Sequence, residues 1–153
     1  MSFDSDYKPR RRSTGFRFGV SGGIIMVVVH LILLLIFRGT NGGDLLGWFL
    51  AWFVYFMVGR MAAQAQYDNQ RDEIQYPLRG VVDAGRGAAM VTCVIIWAFI
   101  IVRGVFRDAV GVFVFVEPVS LFFAIMVDFM IAMGLGSFGG KSVANKYRVR
   151  ERW

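Results

Sequence analysis

The chain has 153 residues, 56% of them hydrophobic and only 18% charged, yet its formal net charge is +6. With a mean hydropathy of +0.54, this excludes a disordered chain, a coiled coil and an ordinary nucleic-acid-binding module, and it suits a membrane protein. A single cysteine, Cys93, and a single histidine, His30, allow neither an intrachain disulfide framework nor a zinc cluster, so no cofactor or metal is expected.

A membrane-spanning helix needs roughly 20 mostly apolar residues. The first stretch that qualifies is 19–37, interrupted only by His30. It is longer than the apolar core of a secretory signal, and Phe37-Arg38-Gly39-Thr40-Asn41 offers no small-residue cleavage site, so the span is expected to be retained. Arg11-Arg12 is followed by Ser13-Thr14 rather than the apolar residues of a twin-arginine signal. The second span is expected over about 45–61 and carries Trp48, Trp52 and Tyr55 at helical spacing, an aromatic face for lipid or interhelical packing.

Residues 62–86 form the long polar connection. Met61 to Tyr76 is rich in Ala, Gln, Arg and Glu with no breaker before Pro77, which predicts a projecting helical extension serving as a solvated spacer or a docking surface. The third span is expected over 87–103. The last apolar run, Ala109 to Gly136, is too long for one straight crossing; Glu117-Pro118 is its natural break, so the fourth span is placed over 118–138. The alternating Val112 to Val116 before it reads as extended or interfacial, with a tilted, kinked helix as the competing reading.

Lysine and arginine set the orientation. The amino-terminal segment 1–18 holds Lys8, Arg10, Arg11, Arg12 and Arg17; the central connection holds Arg60, Arg71, Arg79 and Arg86; the tail 141–153 holds Lys141, Lys146, Arg148, Arg150 and Arg152. The opposite connections hold only Arg38, Arg103 and Arg107. By the positive-inside rule both termini are cytoplasmic, in an all-α integral membrane protein built as a four-transmembrane-helix bundle. The expected location is the bacterial cytoplasmic (inner) membrane. The basic flanks then meet anionic lipid headgroups, and nucleic acid is not needed as a partner. At a constant offset Gly23 matches Gly87, Met26-Val27 matches Met90-Val91, and Asp44-x-x-Gly47 matches Asp108-x-x-Gly111, which raises the possibility of two tandem helix-hairpin repeats.

Small residues four apart permit close helix approach in lipid. Such pairs mark the cytoplasmic end of every span: Gly19 with Gly23, Gly59 with Ala63, Gly85 with Ala89, and Gly136 with Gly140. A tight bundle at that side is expected. Gly134-Leu135-Gly136-Ser137-Phe138-Gly139 has the letters of a dinucleotide fingerprint without its strand, crossover helix or acidic residue.

Three ionisable residues lie in apolar sequence: His30 in the first span, Asp128 in the fourth, and Glu117 at the fourth span's outer end. A carboxylate at the bilayer centre must find a partner, and His30 is depth-matched to Asp128. The functional reading is a proton or ion path, Glu117 to Asp128 to His30. The structural readings are a buried pair locking the first and fourth helices, a neutral Asp128, or pairing with another chain. No nucleophile, base and carboxylate constellation exists, so an enzyme is not expected.

Arg17-Phe18-Gly19-Val20-Ser21-Gly22-Gly23, after a basic tail and opening four expected spans, resembles GtrA-type proteins, which are associated with moving lipid-linked sugars. The resemblance covers this stretch and the span count. The second span departs from that family: its cytoplasmic end reads Met57-Val58-Gly59-Arg60-Met61 rather than an Asn-Phe pair followed by arginine and an aromatic residue, so no residue roles carry over. The leading expectation is a non-enzymatic accessory or scaffold subunit of a larger membrane complex, with protein partners or further copies of itself. The alternative is a small transporter or ion/proton channel component using His30, Glu117 and Asp128, lipid-linked substrates included.

Overall fold

Prolines mark two of the helix starts. In the computed structural model, which describes residues 13–37, 42–70, 78–109 and 118–150, α4 (Pro118–Arg150) opens on Pro118 itself and α3 (Leu78–Ala109) opens one residue after Pro77. Proline tolerates the first helical turn, where its missing N–H would have no partner, and disfavours helix in the residue before it. The other two helices are α1 (Ser13–Ile36) and α2 (Gly42–Gln70). Each of the four is long and apolar enough to cross a membrane.

The helices run further than the apolar stretches alone. Thirty-three residues in α4 reach about 50 Å, well past a hydrocarbon core of about 30 Å. The helical extension expected across Met61 to Tyr76 is helix as far as Gln70; α3 begins at Leu78 rather than near Gly87. Packing is the reason. Beyond the apolar zone Ala63, Val81 and Val143 form a small buried cluster of α2, α3 and α4, capped by Tyr67 stacked on Tyr147 with ring centroids 3.7 Å apart. Arg79, Asp83 and Arg86 disguise this turn as a loop in the sequence, but a helix needs only one apolar stripe to be held in place. The segment Val112 to Val116 lies outside the described residues.

Consecutive helices alternate in direction. Gly22 meets Val58 and Gly47 meets His30, so α1 and α2 are antiparallel; Gly15 meets Ala84 and Gly23 meets Ile95, so α1 and α3 are parallel. Both α1 and α4 pack on α2 and α3, which places α1 and α4 at opposite corners of the bundle. The main core joins Met26, Ala51, Tyr55, Ala89, Cys93, Ile96, Trp97 and Ala132.

Close backbone approach holds the end of the bundle nearest the amino terminus. A Cβ on Gly59 would lie 2.8 Å from the Gly136 Cα, and one on Gly85 would lie 2.8 Å from both the Gly59 and Gly136 carbonyl oxygens. Three helices thus touch backbone to backbone at one node, with Ala89 and Gly140 beside it. Gly19 and Gly23 bring α1 equally close to α3, and the Thr92 hydroxyl lies 2.9 Å from the Gly19 carbonyl and 3.0 Å from that of Ala88. Dispersion and such interhelical polar contacts replace the hydrophobic effect as the binding force in lipid.

Candidate functional site

Asp128 occupies the single inward stripe of α4, in line with Leu121, Ile125, Ala132 and Gly136, and only 2% of it is exposed. α2 and α3 surround it with donors. From α2, the Tyr55 hydroxyl donates to Oδ2 at 2.8 Å and the Trp52 indole N–H to Oδ1 at 3.2 Å. From α3, the Trp97 indole N–H donates to Oδ2 at 3.0 Å and the Cys93 thiol approaches it at 3.5 Å. Helical spacing explains why each helix supplies two: Trp52 and Tyr55 are three apart, Cys93 and Trp97 four apart, so each pair shares a face. Trp48 packs on Trp97, with centroids 5.3 Å apart and planes at 60°, and helps enclose the cluster.

Donor arithmetic describes the chemistry. An indole N–H can only donate, and an ionised carboxylate only accepts, with about four lone-pair positions. The Tyr55 phenol and the Trp97 indole take the two positions on Oδ2, with the Cys93 thiol crowded beside them, and the Trp52 indole takes one of the two on Oδ1. The carboxyl group is thereby turned to joining α4 to α2 and α3 rather than presented to a ligand.

His30 does something else. It is 7% exposed, and its Nδ1–H donates to the Met26 carbonyl one turn back at 2.9 Å. Its ring stands edge-on to Phe99 of α3, with centroids 6.3 Å apart, and presses on Gly47 of α2, where a Cβ would lie 2.8 Å from Nε2. Among the described residues no hydrogen bond or ion pair links His30 to Asp128; the two sit on helices at opposite corners, and each has its own hydrogen-bond partners, Met26 for His30 Nδ1 and Tyr55 among those of Asp128. Glu117 lies outside the described residues. Among those described, no three His, Cys, Asp or Glu side chains converge as metal ligands would.

In the sequence, the depth match makes His30 a candidate partner of Asp128 beside a neutral Asp128 and a pairing with another chain. Trp97 is passed over altogether, and Trp52 and Tyr55 are assigned to packing. The available signal was the depth of these residues: all carry an N–H or O–H at the level of Asp128, the one intramembrane carboxylate among the described residues. In hydrocarbon a hydrogen bond from a neutral donor gains strength from the low dielectric, so neutral donors also partner a buried carboxyl group.

Fold and site together define a helical membrane bundle fastened by a buried carboxylate and a glycine node. No protein-family model matches the chain, and neither a curated protein nor a solved structure is detectably similar to it.

Proposed function

We propose that this chain is a non-enzymatic accessory or scaffold subunit of a larger membrane assembly, set in a bacterial cytoplasmic membrane with both termini inside. The observation that carries this reading is the state of Asp128: the one intramembrane carboxylate among the described residues is engaged by donors from α2 and α3, in a closely packed interior. A transport path through His30, Glu117 and Asp128 has no such support, because His30 and Asp128 have separate partners. What remains for function is the outside. α4 is the least covered helix, with 17% of its spanning window buried against 33% to 39% for the others, and it displays Phe122, Phe123, Met126, Val127 and Met130. Aromatic and methionine side chains of this kind pack adaptably against a neighbouring membrane helix. The two-hairpin repeat stays part of this proposal, resting on the sequence matches between the halves, Gly23 with Gly87 and Asp44-x-x-Gly47 with Asp108-x-x-Gly111.

Purification in mild detergent tests the reading. A defined partner is expected in stoichiometric amount, and a photoreactive residue at Met130 should cross-link to it while one at Leu31 on α1 should not. A strictly monomeric, partner-free particle overturns the proposal.

The threading has its own test. In a Cys93→Ser background, single cysteines at positions 5 and 70 should be protected from an impermeant thiol reagent in intact cells, and one at position 41 should react. External labelling at position 70 would reverse the orientation.

A further inference from the structure

At the node end, each helix carries one exposed cation beside its glycines: Arg17, Arg60, Arg86 and Lys141. Arg86 differs from the others in being held. Its Nε–H donates to the Ser137 hydroxyl across the α3–α4 contact at 3.0 Å, and that hydroxyl donates in turn to the Met133 carbonyl at 2.7 Å. Lys141 lies one helical turn beyond Ser137 on the same face of α4. The backbones beneath them are in contact: a Cβ on Gly136 would be 3.2 Å from the Arg86 Cα, and one on Gly140 2.9 Å from the Val82 Cα.

We infer that Arg86, Ser137 and Lys141 form a binding site for the phosphodiester headgroup of one anionic phospholipid at the α3–α4 edge. Three observations converge on a phosphate. First, a free arginine at a membrane boundary snorkels among many conformations; here one N–H fixes the guanidinium, and four of its five donors remain for a planar, bidentate contact with phosphate oxygens. Second, the two cations share one edge, and among the described residues neither is held in an ion pair; the nearest acid in sequence, Asp83, is exposed one turn away on α3. Third, the apolar side of the pair is open. Gly87 follows Arg86 and Gly134 lies one turn from Ser137, and a Cβ at either would meet nothing within 4 Å, which leaves the helix surface clear for a glycerol backbone and acyl chain. The level is right for a headgroup, since the apolar sequence of α3 begins at Gly87 and that of α4 ends near Phe138. The site requires only that the helices lie in a bilayer and does not depend on the scaffold reading.

Native mass spectrometry of the full chain, released from nanodiscs containing dioleoylphosphatidylglycerol and dioleoylphosphatidylcholine, reads the site directly. The wild type should retain one phosphatidylglycerol per chain, and the double variant Arg86→Gln/Lys141→Gln should retain it roughly thirtyfold less, the loss expected for two juxtamembrane cations. Arg60→Gln, at the same level but without a hydroxyl partner among the described residues, should retain it as the wild type does. Ser137→Ala keeps both charges and frees the guanidinium, and it should fall between, so the test survives if the double variant fails to fold. Equal retention of phosphatidylcholine, an undiminished double variant, or an equal loss in Arg60→Gln would overturn the site, the last by showing a diffuse basic belt. Thermal stabilisation by inorganic phosphate equal to that by phosphatidylglycerol would identify a free anion as the ligand and overturn the lipid.

Discussion

Asp128→Ala should be among the most destabilising single substitutions in this protein, at about 2–5 kcal/mol. The magnitude follows from three well-formed hydrogen bonds, from Tyr55, Trp97 and Trp52, at about 0.6–1.7 kcal/mol each within a membrane. The order of variants is more diagnostic than any one value. Asparagine keeps one acceptor oxygen for the Tyr55 and Trp97 side but turns an amide N–H₂ toward the Trp52 N–H, so Asp128→Asn should lose about one bond's worth, less than alanine. Reversible unfolding in mixed micelles gives the order, and tryptophan emission gives an independent readout, because two of the four tryptophans bond to this carboxylate. An Asp128→Ala variant as stable as the wild type would sink the fastening role.

The second large effect lies at the node. Gly136→Leu should prevent assembly of the bundle, and even Gly136→Ala should cost about 1–3 kcal/mol, the usual range for overpacking. Its first added carbon would sit 2.6 Å from the Ala89 Cβ and 2.8 Å from the Gly85 carbonyl oxygen, rigid neighbours that cannot swing aside. Gly134, two residues earlier on the same helix, is the internal control. A Cβ there meets nothing within 4 Å, so Gly134→Ala should be neutral or stabilise slightly through helix propensity. Thermal melts of the three variants in one detergent separate the close-approach argument from a general intolerance of substitution.

The architecture was legible in the sequence because a bilayer leaves a chain few choices. Runs of apolar residues mark four helices and Pro118 the start of the fourth, whereas Pro77 reads in the sequence only as the end of the second helix's extension and α3 in fact opens directly after it, at Leu78. The glycine pairs were visible for the same reason: nothing but close approach explains Gly59, Gly85 and Gly136 at matching depth. The aqueous ends of the helices were less readable, because Val81 and Val143 lie in short apolar pairs close to charged residues and reveal their stripe only once three helices align. The hydrogen-bond partners of Asp128 were not legible, because sequence reasoning weighs charge against charge. Hydrogen-bond capacity, which Trp52, Tyr55 and Trp97 supply without any charge, decided the matter.

The placement of the Asp128 donors also sets an order of assembly. Every donor to this carboxylate lies upstream of it in the chain, on α2 and α3, so by the time α4 leaves the ribosome its receptor has already been synthesised. Until then, two indole N–H groups and a phenol stand without their acceptor in a lipid environment. A nascent chain that stalls before Asp128, or loses it by truncation, therefore exposes a polar cluster inside the bilayer.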